Sequence, residues 1–213
     1  MGPGRSAPLR DRRLIAGRCE AGRLAVDYSN MEYGASRGFP AEFVLLGLLV
    51  DGPAHGYDLQ QRLESGLGAV WRIAASQLYN VLHRLEDRAW IATSDEQGPG
   101  PTRHVVSLTE SGERAFWKWA AEPVARLRDV RVELLAKMYF QKRHRPNELP
   151  RLIERQRESL KAALRALDGN RAAATDDPWI ASVAASFRRR QIASALEWLA
   201  DADESLRKSK EAR

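Results

Sequence analysis

The chain has one cysteine, Cys19, among 213 residues. A single thiol cannot close an internal disulfide or supply a cysteine-based zinc site. Histidine is also scarce: His55, His83, His104 and His144 contain no i, i+4 pair, and none has a cysteine nearby. No metal site is expected. Long apolar runs are missing. The longest, Phe43 to Val50, has eight residues, against about 20 for a membrane-spanning helix. The N-terminal stretch holds arginines but no apolar segment of secretory type. No Walker loop, GxSxG or dinucleotide fingerprint occurs. The absences argue against an enzyme, a cofactor and a membrane partner, and a cytoplasmic protein is expected.

What is present suits a soluble, helix-rich chain: 44% hydrophobic and 29% charged residues. The length allows one large domain or two small ones. The net charge of +6 is unevenly spread. Residues 1–38 hold seven Arg and four acids, net +3; residues 39–122 hold seven Lys/Arg and eleven acids, net −4; residues 123–213 hold twenty and thirteen, net +7.

Residues 1–38 scatter Gly, Pro and Arg without apolar periodicity and read as a disordered basic arm, with Met31 an alternative start. From about Pro40 to Val50 the residues are apolar on nearly every side, which predicts a buried central helix. Asp51-Gly52-Pro53 ends it. A second helix is predicted over His55 to Ser65, with Tyr57, Leu59, Leu63 and Leu67 as apolar contacts. Ser76 is the expected N-cap of a third helix. In it Leu78, Val81, Leu82 and Leu85 fall at i, i+3, i+4 and i+7, one apolar face. Gln77, Asn80, Arg84 and Asp87 are read on the opposite face, with Tyr79 and His83 on the flank. Trp90–Asp95 and Arg103–Leu108 are β-prone runs around a Gly98-Pro99-Gly100-Pro101 loop. A fourth helix opens near Thr109 and continues to Pro123.

Helix, helix, helix, strand, Gly/Pro loop, strand, helix is the plan of a winged helix-turn-helix over residues 39–122. The remainder, 123–213, is expected to be an α-helical dimerisation and effector domain. Its helices are predicted over Asp129–Gln141, Asn147–Leu167 and Pro178–Leu206. The last carries two apolar rows: Ile180, Val183 and Phe187, then Ile192, Leu196, Leu199 and Leu206, with Trp198 beside them. One neighbouring helix could cover only part of that surface, so a second subunit is inferred, with Phe187, Ile192, Leu196 and Leu199 as dimer contacts. The fold class is mainly α with a small β-wing.

The ordered motifs resemble those of the PadR family of transcriptional regulators. They are Leu46-Gly47-Leu48-Leu49, Gly52-Pro53 with His55-Gly56-Tyr57-Asp58-Leu59, Gln77-Leu78-Tyr79 with Leu82-His83-Arg84-Leu85-Glu86, and Leu108-Thr109 with Gly112. Glu133-Leu134-Leu135-Ala136-Lys137 and Glu197-Trp198-Leu199 resemble the subclass with a larger, virulence-activator-like helical domain. The resemblance implies a homodimeric repressor or activator whose third helix enters the major groove of double-stranded DNA. It also implies response to a small aromatic effector near the dimer interface. Two departures stand out. Pro101, Thr102, Val105 and Val106 sit where the family's wing carries basic and aromatic residues, and position 80 is Asn where many relatives have proline.

On this reading the DNA contacts are Ser76, Gln77, Tyr79, Asn80, His83 and Arg84 on the third helix, His55 and Tyr57 at the start of the second, and Arg103 and His104 on the wing. Amide and guanidinium groups suit adenine and guanine edges. Free N–H groups at a helix start suit phosphate. A solvated helix face is the plain alternative for Gln77, Asn80 and Arg84. For Gly56 and Tyr57 it is turn and packing. Trp117 and Trp198 are candidate ligand contacts, although aromatics at helical spacing are more often core. The leading expectation is a sequence-specific repressor on a pseudo-palindromic operator. The alternative is a winged-helix sensor that has lost DNA binding, motivated by the acidic reader segment.

Overall fold

The computed structural model describes residues 41–96, 103–169 and 177–211. The expectations for the basic arm, Met31, Pro40 and the wing tip Gly98–Pro101 lie outside them. Helix α1, Ala41–Leu49, is buried along almost its whole length, including Glu42. Its C-terminal carbonyls are not left bare. Arg62 Nη1 donates to the Leu48 and Gly52 carbonyls at 3.2 and 3.1 Å, and Gly52 turns the chain at φ +118°, a conformation natural to glycine.

The second helix, α2, is Gly56–Leu67. It begins after His55 because Ala54–His55 form a short strand, β1, paired with Val106 and Val105. Two residues are too few to show alternation in a sequence. Tyr57 is not an apolar contact as expected: its side chain stands out, 67% exposed, and its hydroxyl accepts from Gln61 Nε2 at 2.9 Å.

Helix α3 is Ala75–Asp87, capped by Ala74 and not by Ser76. Ala74 is extended, and its carbonyl already accepts from the Leu78 N–H at 3.0 Å, so Ser76 sits inside the first turn. At the other end Trp90 N–H donates to the Leu85 carbonyl and Ala89 N–H to Glu86. This is a Schellman closure, with Ala89 at φ 52° where glycine is usual. Strand β2, Ile91–Glu96, and β3, Arg103–Leu108, complete an antiparallel sheet in the order β1-β3-β2. Helix α4, Glu110–Ala121, is capped by the Thr109 hydroxyl, which accepts from the Gly112 N–H at 3.1 Å.

Leu45, Leu46 and Leu48 of α1 sit at the centre of the first core, with Leu59 and Leu63 of α2, Leu78 and Leu85 of α3, and Phe116 of α4. Phe140 enters the same core from α5, Leu135–His144. It fits because Gly47 has no side chain: a Cβ there would lie 2.6 Å from the Phe140 ring and 2.7 Å from Phe116.

The helix expected over Asp129–Gln141 is broken into three pieces. A 3-10 turn, Leu127–Asp129, leads into a π segment, Val130–Leu134, and then α5. The wider π turn re-aims the side chains. Val130 and Leu134 enter a second core, whereas Ala136 and Phe140 face the first. Buried polar side chains satisfy the connecting backbone. Lys137 Nζ donates to the Glu122 carbonyl, Gln141 to Ala120, and Gln156 bonds both the N–H and the carbonyl of Val124. Bare buried carbonyls would be costly.

Helices α6, Leu149–Gly169, and α7, Pro178–Glu211, pack along each other. Two i, i+3 ion pairs lie along α6, Glu154–Arg157 at 3.6 Å and Glu158–Lys161 at 2.7 Å. Two expected dimer contacts belong elsewhere. Ile192 and Leu199 are buried in the second core with Leu152, Ile153 and Leu160 of their own chain. Leu196 and Trp198 pack against the same core, partly buried. The open apolar surface lies nearer the start of α7, at Trp179, Ile180, Val183 and Phe187.

Candidate nucleic-acid interface

Two layers of cause set the exposed face of α3. Leu78, Val81, Leu82 and Leu85 are buried, which fixes the helix's rotation. At about 100° per residue, the line directly opposite that face runs through Ser76, Asn80, His83 and Asp87. All four are exposed. Gln77 and Arg84 lie on one flank, and Tyr79 and Glu86 on the other. The sequence reading put Gln77 and Arg84 on the crest and His83 on the flank; the observed burial exchanges them.

The two flanks meet different neighbours. On the Arg84 side is α1. Arg84 Nε donates to Glu42 Oε1 at 3.1 Å, and Arg88 Nη1 bonds the other oxygen. Arg84 is therefore engaged with its own protein rather than freely presented. On the Tyr79 side, a groove of about 750 Å³ opens between α3, the start of α2 and the wing. Tyr57, Tyr79, His83, Arg103, His55 and His104 all line it. Six of the ten expected contacts thus share one concavity. Ser76, Gln77, Asn80 and Arg84 are not in its lining. Tyr79 lies over Gly56, where a Cβ would come within 2.8 Å of its ring and hydroxyl. Gly56 is thus a packing glycine, and Tyr79 remains half exposed.

The histidines of the groove already have partners within the protein. His55 Nδ1 lies 3.1 Å from the His104 carbonyl, which can only accept, and its Nε2 is 3.5 Å from Glu96. His104 Nδ1 is 2.7 Å from Asp95. The strand register creates these pairs by setting Asp95 opposite His104 and Glu96 opposite Arg103. The start of α2 also holds a carboxylate of its own: Asp58 Oδ2 accepts from the His55 N–H at 3.4 Å. That acid already offsets the positive helix end. Sequence reasoning missed Asp95 and Glu96 because it assigned two strands without a register between them. The acids standing just before the loop, with bases just after it, were the available signal.

The candidate ligand residues do not converge on the groove. Trp117 packs edge-on against Phe116, with the Arg145 guanidinium 3.7 Å from its ring centre, and donates to Glu113. It belongs to the first core and Trp198 to the second. No three His, Cys, Asp or Glu among the described residues are grouped to hold a metal ion. No helix among them is long and apolar enough to cross a membrane.

Residues 45–118 match the family model described as the transcriptional regulator PadR-like family. The chain is 28% identical over 130 residues to the negative transcriptional regulator PadR of Bacillus subtilis, covering 61% of this chain and 71% of that protein. It is 30% identical over 88 residues to the probable transcriptional regulator Rv1176c of Mycobacterium tuberculosis, covering 41% of this chain and 47% of that one. Among solved structures it is similar to Bacillus subtilis PadR in complex with operator DNA. That match has 24% identity and a TM-score of 0.39, covering 76% of this chain and 96% of that chain. At such a score the likeness adds no weight. The relatives bear names of regulators and not of enzymes. The domain at residues 45–118 is thus similar to the PadR-like family of transcriptional regulators.

Proposed function

We propose that this chain is a homodimeric repressor that binds a pseudo-palindromic operator, with α3 in the major groove and the wing alongside. The observation that carries the reading is the crest of α3. Ser76, Asn80 and His83 stand clear of the protein while the opposite face of the same helix is locked into the core. A helix so presented can reach base edges. Gln77 on one flank and Tyr57, Tyr79 and Arg103 in the groove are placed for the sugar-phosphate walls, which position the reader without specifying sequence. The name of the Bacillus subtilis relative favours repression.

The second subunit is supported by Trp179, Ile180, Val183 and Phe187, four large apolar side chains exposed on one helix. Two-fold symmetry then sets the half-sites about one helical turn, or a multiple, apart. Phe187 remains in the proposed dimer contact; Ile192, Leu196 and Leu199 face their own chain's second core instead. Such a regulator works at the chromosome, in the cytoplasm. Release by a small aromatic ligand is an expectation of the family resemblance alone, since Trp117 and Trp198 are each engaged by their own core.

The test is a binding titration against duplexes enriched from a random-sequence pool and against the protein's own promoter region. A sequence-preferred duplex should emerge. Asn80→Ala with His83→Ala should cost that duplex about tenfold or more in affinity, with little loss on unrelated DNA. No preferred duplex, or a preference untouched by both substitutions, would overturn the reading. A second reading, a winged-helix sensor without DNA binding, is favoured by one observation: Asp95 and Glu96 already occupy the wing histidines. Its signature is stable oligomerisation with no salt-dependent affinity for DNA.

A further inference from the structure

Glu42 is an unusual residue for the first turn of a buried helix. Its side chain is 9% exposed, yet it ends between two guanidiniums: Arg84 in the last turn of α3 and Arg88, the residue that caps that helix. A carboxylate removed from water is costly unless paired, so both arginines are held to it. The way Arg84 is held is informative. The bond uses Nε, at the side of the guanidinium. Its two terminal amino groups have no hydrogen bond among the described residues, and the side chain is 52% exposed. A guanidinium gripped by its side is fixed in plane with its outer fork free, the arrangement suited to two parallel bonds to an anion.

Arg84 also sits on the flank of α3 and not on the crest. With α3 in a groove, a flank residue faces the backbone wall. We infer that Glu42 is a positioning residue: it orients Arg84 as a phosphate clamp that sets how α3 seats on its operator. The inference rests on the proposed reading of α3 as the DNA-contacting helix. Glu42 itself touches no DNA. It acts through Arg84, with Arg88 as the second anchor that keeps the carboxylate in place. Arg88 is steadied in turn, its guanidinium 5.3 Å from the centre of the Trp90 ring.

This assignment predicts an effect opposite in sign to simple electrostatics. Removing an acid beside a DNA-binding helix raises the local positive charge and should tighten binding. If Glu42 positions Arg84, Glu42→Gln should instead weaken binding to the preferred duplex by about tenfold. Binding to unrelated DNA should weaken as well, because a phosphate contact is made whatever the sequence. Arg84→Ala should weaken the same duplex to a similar degree and lower the salt-dependence slope by about 1. In a double-mutant cycle the two losses should not add. Arg84→Lys, an exposed change that leaves the fold intact, should behave like Arg84→Ala, because an ammonium held by Glu42 has no outer fork to offer.

The measurements are fluorescence-anisotropy titrations of the full chain on the preferred and a scrambled duplex over a range of salt, with thermal unfolding of each variant. Tighter or unchanged operator binding by Glu42→Gln, additive losses, or wild-type affinity in Arg84→Lys would each overturn the positioning role. If Glu42→Gln does not fold, the Arg84→Lys result decides. A wild-type protein that prefers no duplex would overturn the proposed function itself, an outcome distinct from these.

Discussion

The two halves of α7 carry comparable apolar rows and meet opposite ends. Ile192 and Leu199 are buried against α6, with Leu196 and Leu206 partly covered. Trp179, Ile180, Val183 and Phe187 are 47–69% exposed. Periodicity shows which face of a helix is apolar, not what covers it. The first core makes the same point from the other side. There α1 is apolar all round and is enclosed by α2, α3, α4 and a phenylalanine from α5. The first core is closed with the help of α5, whereas the long helix leaves part of its apolar surface exposed.

The contrast between covered and uncovered surface can be tested, beginning with the largest effect. Phe140→Ala removes a fully buried ring from between Gly47 and Phe116. It should cost about 3–5 kcal/mol, read by denaturant unfolding. A loss under about 1 kcal/mol would mean that α5 is not part of the first core. Phe187→Glu, on the bare half of α7, should leave the helicity of the chain unchanged. It should raise the dimer dissociation constant about thirtyfold or more, read by sedimentation equilibrium. Unaltered self-association would show that this half of α7 is not the dimer contact.

Ala89→Gly should stabilise the chain by about 1 kcal/mol, because an alanine at φ 52° pays a steric penalty that glycine avoids. A lower melting temperature would argue against this Schellman closure. The smallest effect expected is a pH dependence at His144. Its ring lies between Trp117 and Phe140, and burial pushes its pKa below the usual imidazole value against the opposing pull of Asp51. The folded state therefore favours the neutral ring more than the unfolded chain does. The associated stability is present above about pH 6.5 and fades as the pH falls through that value toward the lowered folded one. His144→Gln should flatten the melting-temperature profile between about pH 7 and pH 5; an unchanged slope would exclude this histidine as its source.

Much of the fold was legible because its signals are local. The apolar face of α3, the Thr109 cap and the strand Arg103–Leu108 follow from spacing and from residues that stop or start helices. The parts that were not legible depend on distant partners. The strand β1 exists because β3 lies beside it. The π turn at Val130–Leu134 exists because one stretch of chain must serve two cores. The pairing of His55 and His104 with Glu96 and Asp95 depends on strand register, and the engagement of Arg84 depends on a glutamate 42 residues away. Ser76 shows the limit of propensity: a good capping residue sits inside the first turn because Ala74 already has the capping backbone conformation.

From the amino-acid order alone came the succession of helices and strands, the inward face of each helix and the chemistry presented on α3. These depend on interactions within a few residues, which the order of side chains specifies directly. Which of the presented groups are free, and which are held by the protein itself, was decided only when α1, the wing and α5 came together. Polar side chains pair with whatever the fold brings within hydrogen-bond reach, and proximity of that kind has no signature in local sequence.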